Sequence, residues 1–134
     1  MNIVFLSLGT NLGSKEHNLN TAIQEISKRI GSVTAQSDFI ETEPWGFSSD
    51  NGFLNAAVKV ETALTPFEVL NATQQIEQDM GRTEKSVNAE YHDRIIDIDI
   101  LLYNDLSIST PTLTIPHPLM NERDFVLIPL NQIL

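Results

Sequence analysis

Residues 94–103 read Arg94-Ile95-Ile96-Asp97-Ile98-Asp99-Ile100-Leu101-Leu102-Tyr103. Aliphatic residues at 96, 98 and 100 alternate with aspartates at 97 and 99, the period-2 pattern of a strand with one apolar and one polar face. This strand closes a series. Upstream of it, residues 66–80 start from Thr65-Pro66-Phe67-Glu68, a cap, a first-turn proline and a glutamate placed for a capping box. That helix continues through Val69, Leu70, Thr73, Ile76 and Met80 to Gly81. Residues 53–60 before it alternate as a strand.

Further back, residues 33–40 read as one polar-interrupted strand near a sheet edge. Ser14 is placed to cap a helix whose buried face is Leu19, Ala22, Ile23, Ile26 and Ile30, with Gly31 as its stop. Residues 3–8 are an apolar run too short for a helix, ending at Gly9. The order strand, helix, strand, strand, helix, strand predicts an α+β, ferredoxin-like sandwich: an antiparallel sheet with both helices on one face. Residues 105–134 add a hairpin and a short C-terminal helix. Two loops stand out. Residues 43–52 are rich in turn formers yet carry Trp45 and Phe47, and residues 82–93 are polar without period.

The 134 residues are read as a single domain, 1–134. Eighteen acidic against eight basic residues give a net charge of −10, which argues against nucleic acid as a partner. Zero cysteines exclude disulfides and thiolate metal sites. No segment has the length of a membrane span, and the N-terminal apolar run lacks the flanks of a leader, so a cytoplasmic enzyme with no membrane partner is expected. Neither a GxxxxGK[ST] loop nor a GxGxxG run is present, so a bound nucleotide would need cations and arginines to hold its phosphates.

On a strand, Asp97 and Asp99 share a face with Cα atoms about 6–7 Å apart. Such a pair either binds a cation, with magnesium favoured by all-oxygen ligation, or is a solvated face. Arg82 and Arg94 bracket the polar loop and bring positive charge toward the acids, as phosphoryl transfer requires; an ordinary Arg94–Asp97 ion pair is the alternative. His117, between Pro116 and Pro118, is either a phosphate donor or structural. Phe53 and Phe125 either stack on a flat heterocycle or fill core.

Taken together, these residues resemble the hydroxymethyl-dihydropterin pyrophosphokinase family of folate biosynthesis. The resemblance runs over nearly the whole chain: Gly9-Thr-Asn-Leu-Gly13, Thr42-Glu-Pro44, Phe53-Leu-Asn55-Ala-Ala-Val58, Gln74-Gln-Ile-Glu77 with Gly81-Arg82, Arg94-x-x-Asp97-Ile-Asp99-Ile100-Leu101, and Ile115-Pro-His117 with Arg123-x-Phe125. It implies Mg-dependent transfer of diphosphate from ATP to the hydroxymethyl group of 6-hydroxymethyl-7,8-dihydropterin, releasing AMP. It implies that Asp97 and Asp99 hold two magnesium ions, with Arg82 and Arg94 completing the catalytic set. ATP would be held by Gln74, Arg82, Arg94, Ile100, Thr114, His117 and Arg123. The pterin would lie between Phe53 and Phe125, its edge read by Asn55 and by the backbone of Thr42, Pro44 and Trp45. Residues 83–93 correspond to a lid, and a monomer acting on small molecules is implied.

This chain departs from the family pattern in that loop. Thr83-Glu84-Lys85 stands where a second arginine is frequent, Tyr91 where a tryptophan is frequent, and His92-Asp93 precedes Arg94. Pro118 follows His117 in place of an aromatic, and the chain stops at Leu134, short of an extension in longer members. Two rival functions fit the same residues: a non-catalytic ferredoxin-like ligand-binding module, and a metal-dependent phosphohydrolase that uses water as acceptor.

Overall fold

The central strand β1 (Asn2–Thr10) carries Val4, Leu6 and Leu8 on one face, all at most 1% exposed, and Phe5, Ser7 and Gly9 on the other. The computed structural model describes residues 1–42, 52–81, 95–118 and 120–134. After β1 come α1 (Lys15–Arg29), β2 (Gly31–Gln36), β3 (Ile40–Thr42), β4 (Phe53–Thr62), α2 (Pro66–Asp79), β5 (Asp97–Tyr103), β6 (Ile108–Ser109), β7 (Thr114–Ile115), a single 3-10 turn (Met120–Glu122) and α3 (Asp124–Ile133). Among the described residues the main sheet runs β2-β4-β1-β5, every pairing antiparallel, with β3 also paired to β4. That strand order, with α1 and α2 on one face, is the ferredoxin-like arrangement that the element series predicts.

The main core lies between that face and the two helices. Val4, Leu6, Leu8, Ala56, Val58, Val60, Ile98 and Ile100 of the sheet meet Leu19, Ala22 and Ile26 of α1 and Val69 and Ile76 of α2. The capping box at the start of α2 is formed as its sequence requires. Thr65 Oγ1 accepts from the Glu68 N–H at 3.2 Å, and Glu68 Oε1 accepts from the Thr65 N–H at 2.9 Å. Gly81, at φ +105°, ends that helix in a conformation few other residues adopt.

Three local expectations change. Ser14 occupies the N-cap of α1, but through its carbonyl, which accepts from the Asn18 N–H at 2.9 Å; its side chain makes no cap bond. Gly31 is not a helix stop in the left-handed sense. It is the first residue of β2, and a Cβ there would lie 2.0 Å from the Glu61 carbonyl oxygen, so close approach of two strands is what demands glycine. Residues 33–40 form two strands rather than one. Ser37 breaks the run: its N–H donates to the Ala57 carbonyl at 2.9 Å, while its Oγ accepts from the Ala57 N–H at 2.8 Å. A side-chain oxygen thus replaces a ladder carbonyl, and the chain turns before rejoining β4 as β3.

The opposite face of the sheet is covered by α3. Val126 and Leu130 pack there on Leu101, with Phe5, Leu102, Met120 and Phe125 around them. A register shift between Phe5 and Leu6 opposes one step of β1 with the extra residue Leu101 of β5. The bulge turns both Leu101 and Leu102 toward α3 and still returns Tyr103 to the main core. It also directs the Leu101 carbonyl to the His117 N–H, a 3.0 Å bond that holds the segment after β7 against the sheet.

Candidate functional site

The register places the chemistry on the α3 side of the sheet, at the end where β1 runs out. Across three strands, Asn55 of β4 pairs with Gly9 of β1, which pairs with Asp97 of β5. In the next row, Ala57 pairs with Ser7, which pairs with Asp99. Directly paired residues share a face, so Asn55, Gly9 and both aspartates present themselves to one surface. Phe53, two residues before Asn55, shares that face, and Thr42 of β3 is its register partner. The alternation read from 94–103 therefore holds: Ile96, Ile98 and Ile100 are at most 5% exposed, and the two aspartates face the other way.

Asp99 sits at the bottom of this surface. Its carboxyl pKa is held well above the ordinary aspartate range, chiefly by burial, then by the charges of Asp97 and Glu77, with Arg123 opposing. His117 is displaced the other way. Burial and the Arg123 guanidinium keep its ring neutral to lower pH than an ordinary histidine, while Asp97 pulls against them. Asp99 and His117 thus each feel both Asp97 and Arg123, although these residues come from β5, the turn after β7 and the start of α3. Arg123 is only 8% exposed, and its guanidinium lies over the Phe125 ring, 5.5 Å from the centroid.

Asn55 is 2% exposed, and its Nδ2 donates to the Ile40 carbonyl of β3 at 3.2 Å. Phe53 is half-buried on the surface beside it, and Phe125 is half-buried where α3 begins. Gln74 is half-buried on α2. Ile100 has its side chain in the main core, turned away from the acids. Among the described residues β5 is an edge strand, so the main chain of Ile100 is the part turned toward that side. Thr114 lies on β7, whose hairpin partner is β6. Pro44, Trp45, Arg82 and Arg94, together with the lid at 83–93, lie outside the described residues; of Thr42 the backbone is described.

One contributor, Glu77, stands in the sequence only as the end of the Gln74–Glu77 motif, with no role of its own. Glu77 of α2 is 4% exposed, and its Oε2 accepts from the Ile98 N–H at 2.8 Å on the outer edge of β5, between the two aspartates. The signal was present. Glu77 follows Ile76 on the buried face set by Val69, Thr73 and Ile76, and a carboxylate on such a face needs a partner.

A family model for 7,8-dihydro-6-hydroxymethylpterin-pyrophosphokinase (HPPK) matches residues 5–134. The chain is 48% identical over 134 residues to a 2-amino-4-hydroxy-6-hydroxymethyldihydropteridine pyrophosphokinase of Porphyromonas gingivalis, covering 99% of this chain and 91% of that one. To the Bacillus subtilis protein of the same name it is 43% identical, covering 98% and 78%. Among solved structures, an HPPK-DHPS triple mutant of Plasmodium falciparum with STZ-DHP superposes with a TM-score of 0.79 at 19% identity. That match covers 98% of this chain and 39% of the other, so the chain spans about two fifths of that protein, and the likeness is one of fold.

Proposed function

The chain belongs to the 7,8-dihydro-6-hydroxymethylpterin-pyrophosphokinase family, a family of folate-pathway diphosphotransferases, and on that premise we propose that it transfers the terminal diphosphate of ATP to 6-hydroxymethyl-7,8-dihydropterin in the presence of magnesium. The observation that carries this reading is the row Asn55–Gly9–Asp97. It sets a buried amide suited to reading a heterocycle across one intervening strand from Asp97, which with Asp99 in the next row makes a carboxylate pair suited to cations.

The donor set fits magnesium. Asp97 and Asp99 are crowded carboxylates whose repulsion a cation would relieve, and among the described residues they are not part of any cluster of three or more metal-ligating side chains. Ions held by two carboxylates complete their shells with water and phosphate oxygens, as magnesium prefers. When bound there, two magnesium ions would supply charge neutralisation of the polyphosphate.

The remaining work falls to this chain's own residues. We assign Phe53, Asn55 and Phe125, with the backbone of Thr42, Pro44 and Trp45, to the pterin. We assign Gln74, Arg82, Arg94, Ile100, Thr114, His117 and Arg123 to ATP, with Arg82 and Arg94 completing the catalytic set. His117, kept neutral, offers an N–H to a phosphate or ribose oxygen without adding charge. The hydroxymethyl oxygen attacks the β-phosphorus in line. The bond from that phosphorus to the α,β-bridging oxygen breaks, AMP leaves, and the hydroxyl proton goes to solvent. Positioning and charge complementarity are the main sources of acceleration in such a transfer. We read residues 1–134 as one cytoplasmic domain working as a monomer.

The test is nucleotide analysis after mixing the protein with ATP, magnesium and the hydroxymethyl-dihydropterin. AMP formed only with the pterin present, and abolished by EDTA, is the expected result. ADP or free phosphate released without pterin would replace this reading with the phosphohydrolase.

A further inference from the structure

Lys15 is the first residue of α1, where a cation opposes the helix dipole, so its place at that terminus calls for a compensating partner. That partner is the Gly52 carbonyl, which accepts from Lys15 Nζ at 2.8 Å. The lysine is half-buried, and its base is fixed. Asn18 Nδ2 donates to the Leu12 carbonyl at 2.8 Å and to Thr10 Oγ1 at 3.2 Å, while the Asn18 N–H donates to the Ser14 carbonyl at 2.9 Å. These bonds tie the first turn of α1 to the end of β1, where Thr10 is fully buried.

Gly52 immediately precedes Phe53, the first residue of β4. The two neighbours of β4 support that end unequally. On one side β3 pairs Thr42 with Phe53; on the other, the β1 ladder stops with Thr10 opposite Leu54, one residue short. Packing from the α1 side gives way at the same place. An open cavity of about 670 Å³ lies between the start of α1 and the β2–β3 kink, with Lys15, Phe39, Glu41 and Leu54 in its wall. The Lys15 ammonium therefore takes hold of the backbone where ladder and core both end, through a charge-assisted bond, which is stronger than a neutral one.

We propose that Lys15 is a positioning residue for the heterocycle: its grip on the Gly52 carbonyl fixes where Phe53 enters the sheet, and so sets the wall against which the flat ring stacks. Phe53 lies beside Asn55 on the face that carries Asp97 and Asp99, whereas Lys15 reaches the strand end from the α1 side and acts through the backbone. This rests on the pterin reading of the site and adds a residue outside it through which ring affinity is set.

The experiment reads binding and melting together. Fluorescence of 6-hydroxymethylpterin is titrated in the presence of magnesium and the α,β-methylene analogue of ATP, and the analogue is titrated separately by calorimetry. Lys15→Met keeps the apolar stem and removes the donor. It should weaken the pterin about fivefold, a fraction of what a charged hydrogen bond contributes, and leave the nucleotide within about twofold. Lys15→Arg restores a cationic donor to a single carbonyl and should return the pterin to within about twofold of the parent. In a Phe53→Ala background Lys15→Met should cost less than about twofold, because the wall it positions is gone. Unchanged pterin affinity in Lys15→Met, no recovery in Lys15→Arg, or full additivity with Phe53→Ala overturns the proposal. So does an equal loss of both ligands with a lower melting temperature, or a Lys15→Met chain that does not fold, since either makes the lysine a structural tie alone. If the unaltered protein binds the nucleotide analogue but not the pterin, the pterin reading itself falls and this inference with it.

Discussion

Replacing Asp99 by Asn should stabilise the protein in the absence of metal while abolishing turnover. Burial first, then the charges of Asp97 and Glu77, hold the Asp99 carboxyl far above its ordinary range. An acid in that position favours the folded state only while it keeps its proton. Below the ordinary carboxylate range the folded and unfolded chains are equally protonated. As pH rises from there through the elevated folded value, the unfolded chain ionises first and stability is lost. The scale of the repulsion is taken from the strand: Cα atoms of alternate residues lie about 6–7 Å apart, and two charges at that separation interact by about 2.5 kcal/mol at an effective dielectric constant near 20. Asp97 is half-exposed, so about 1–2 kcal/mol is the working figure. In a chain of this size that raises the melting temperature by about 3–8 °C. The assay is thermal unfolding of both proteins in EDTA across pH 5 to 8. His117, whose pKa is lowered, slopes the opposite way, but it is present in both proteins and drops out of their difference. Asp99→Asn melting at or below the parent at neutral pH, or a gap that does not widen as pH rises, would refute the account. Magnesium should raise the parent's melting temperature and leave the variant's unchanged.

Two further substitutions probe the frame beneath the site. Glu77→Ala strands the Ile98 N–H and should cost about 1–3 kcal/mol in urea unfolding, whereas Glu77→Gln keeps an acceptor and should cost less; equal losses would mean the hydrogen bond is not what matters. Gly31→Ala forces a methyl against the Glu61 carbonyl and should destabilise by about 1–3 kcal/mol without a selective effect on either substrate, so an unchanged urea midpoint would contradict the strand approach described here.

The fold was legible where local chemistry and tertiary demand agree. The capping box at Thr65 and the alternation at 96–100 each specify their element within a few residues, and burial then enforces the same choice. It was not legible where a side chain acts at a distance. Ser37 reads as one more polar residue in a strand until Ala57 is placed opposite it, and only that pairing turns its hydroxyl into a substitute ladder group. Leu101 and Leu102 read as an unbroken aliphatic run, because a bulge is a mismatch between two strands and one strand alone carries no mark of it.

The same division applies to the site. By itself the sequence determined that two carboxylates share a strand face, since a period of two allows nothing else, and its motifs together identified the family. It also supplied the residue types an acidic protein needs to hold a polyphosphate. What only the tertiary structure decided is adjacency across strands. Antiparallel register brings residues 9, 55 and 97 into one row, and α3 delivers Arg123 and Phe125 to the same surface from the far end of the chain. Register is set by how the whole apolar face packs on α1 and α2, a sum over many distant contacts. Glu77 acquires its significance from that sum, because only there does its carboxylate meet the edge of β5.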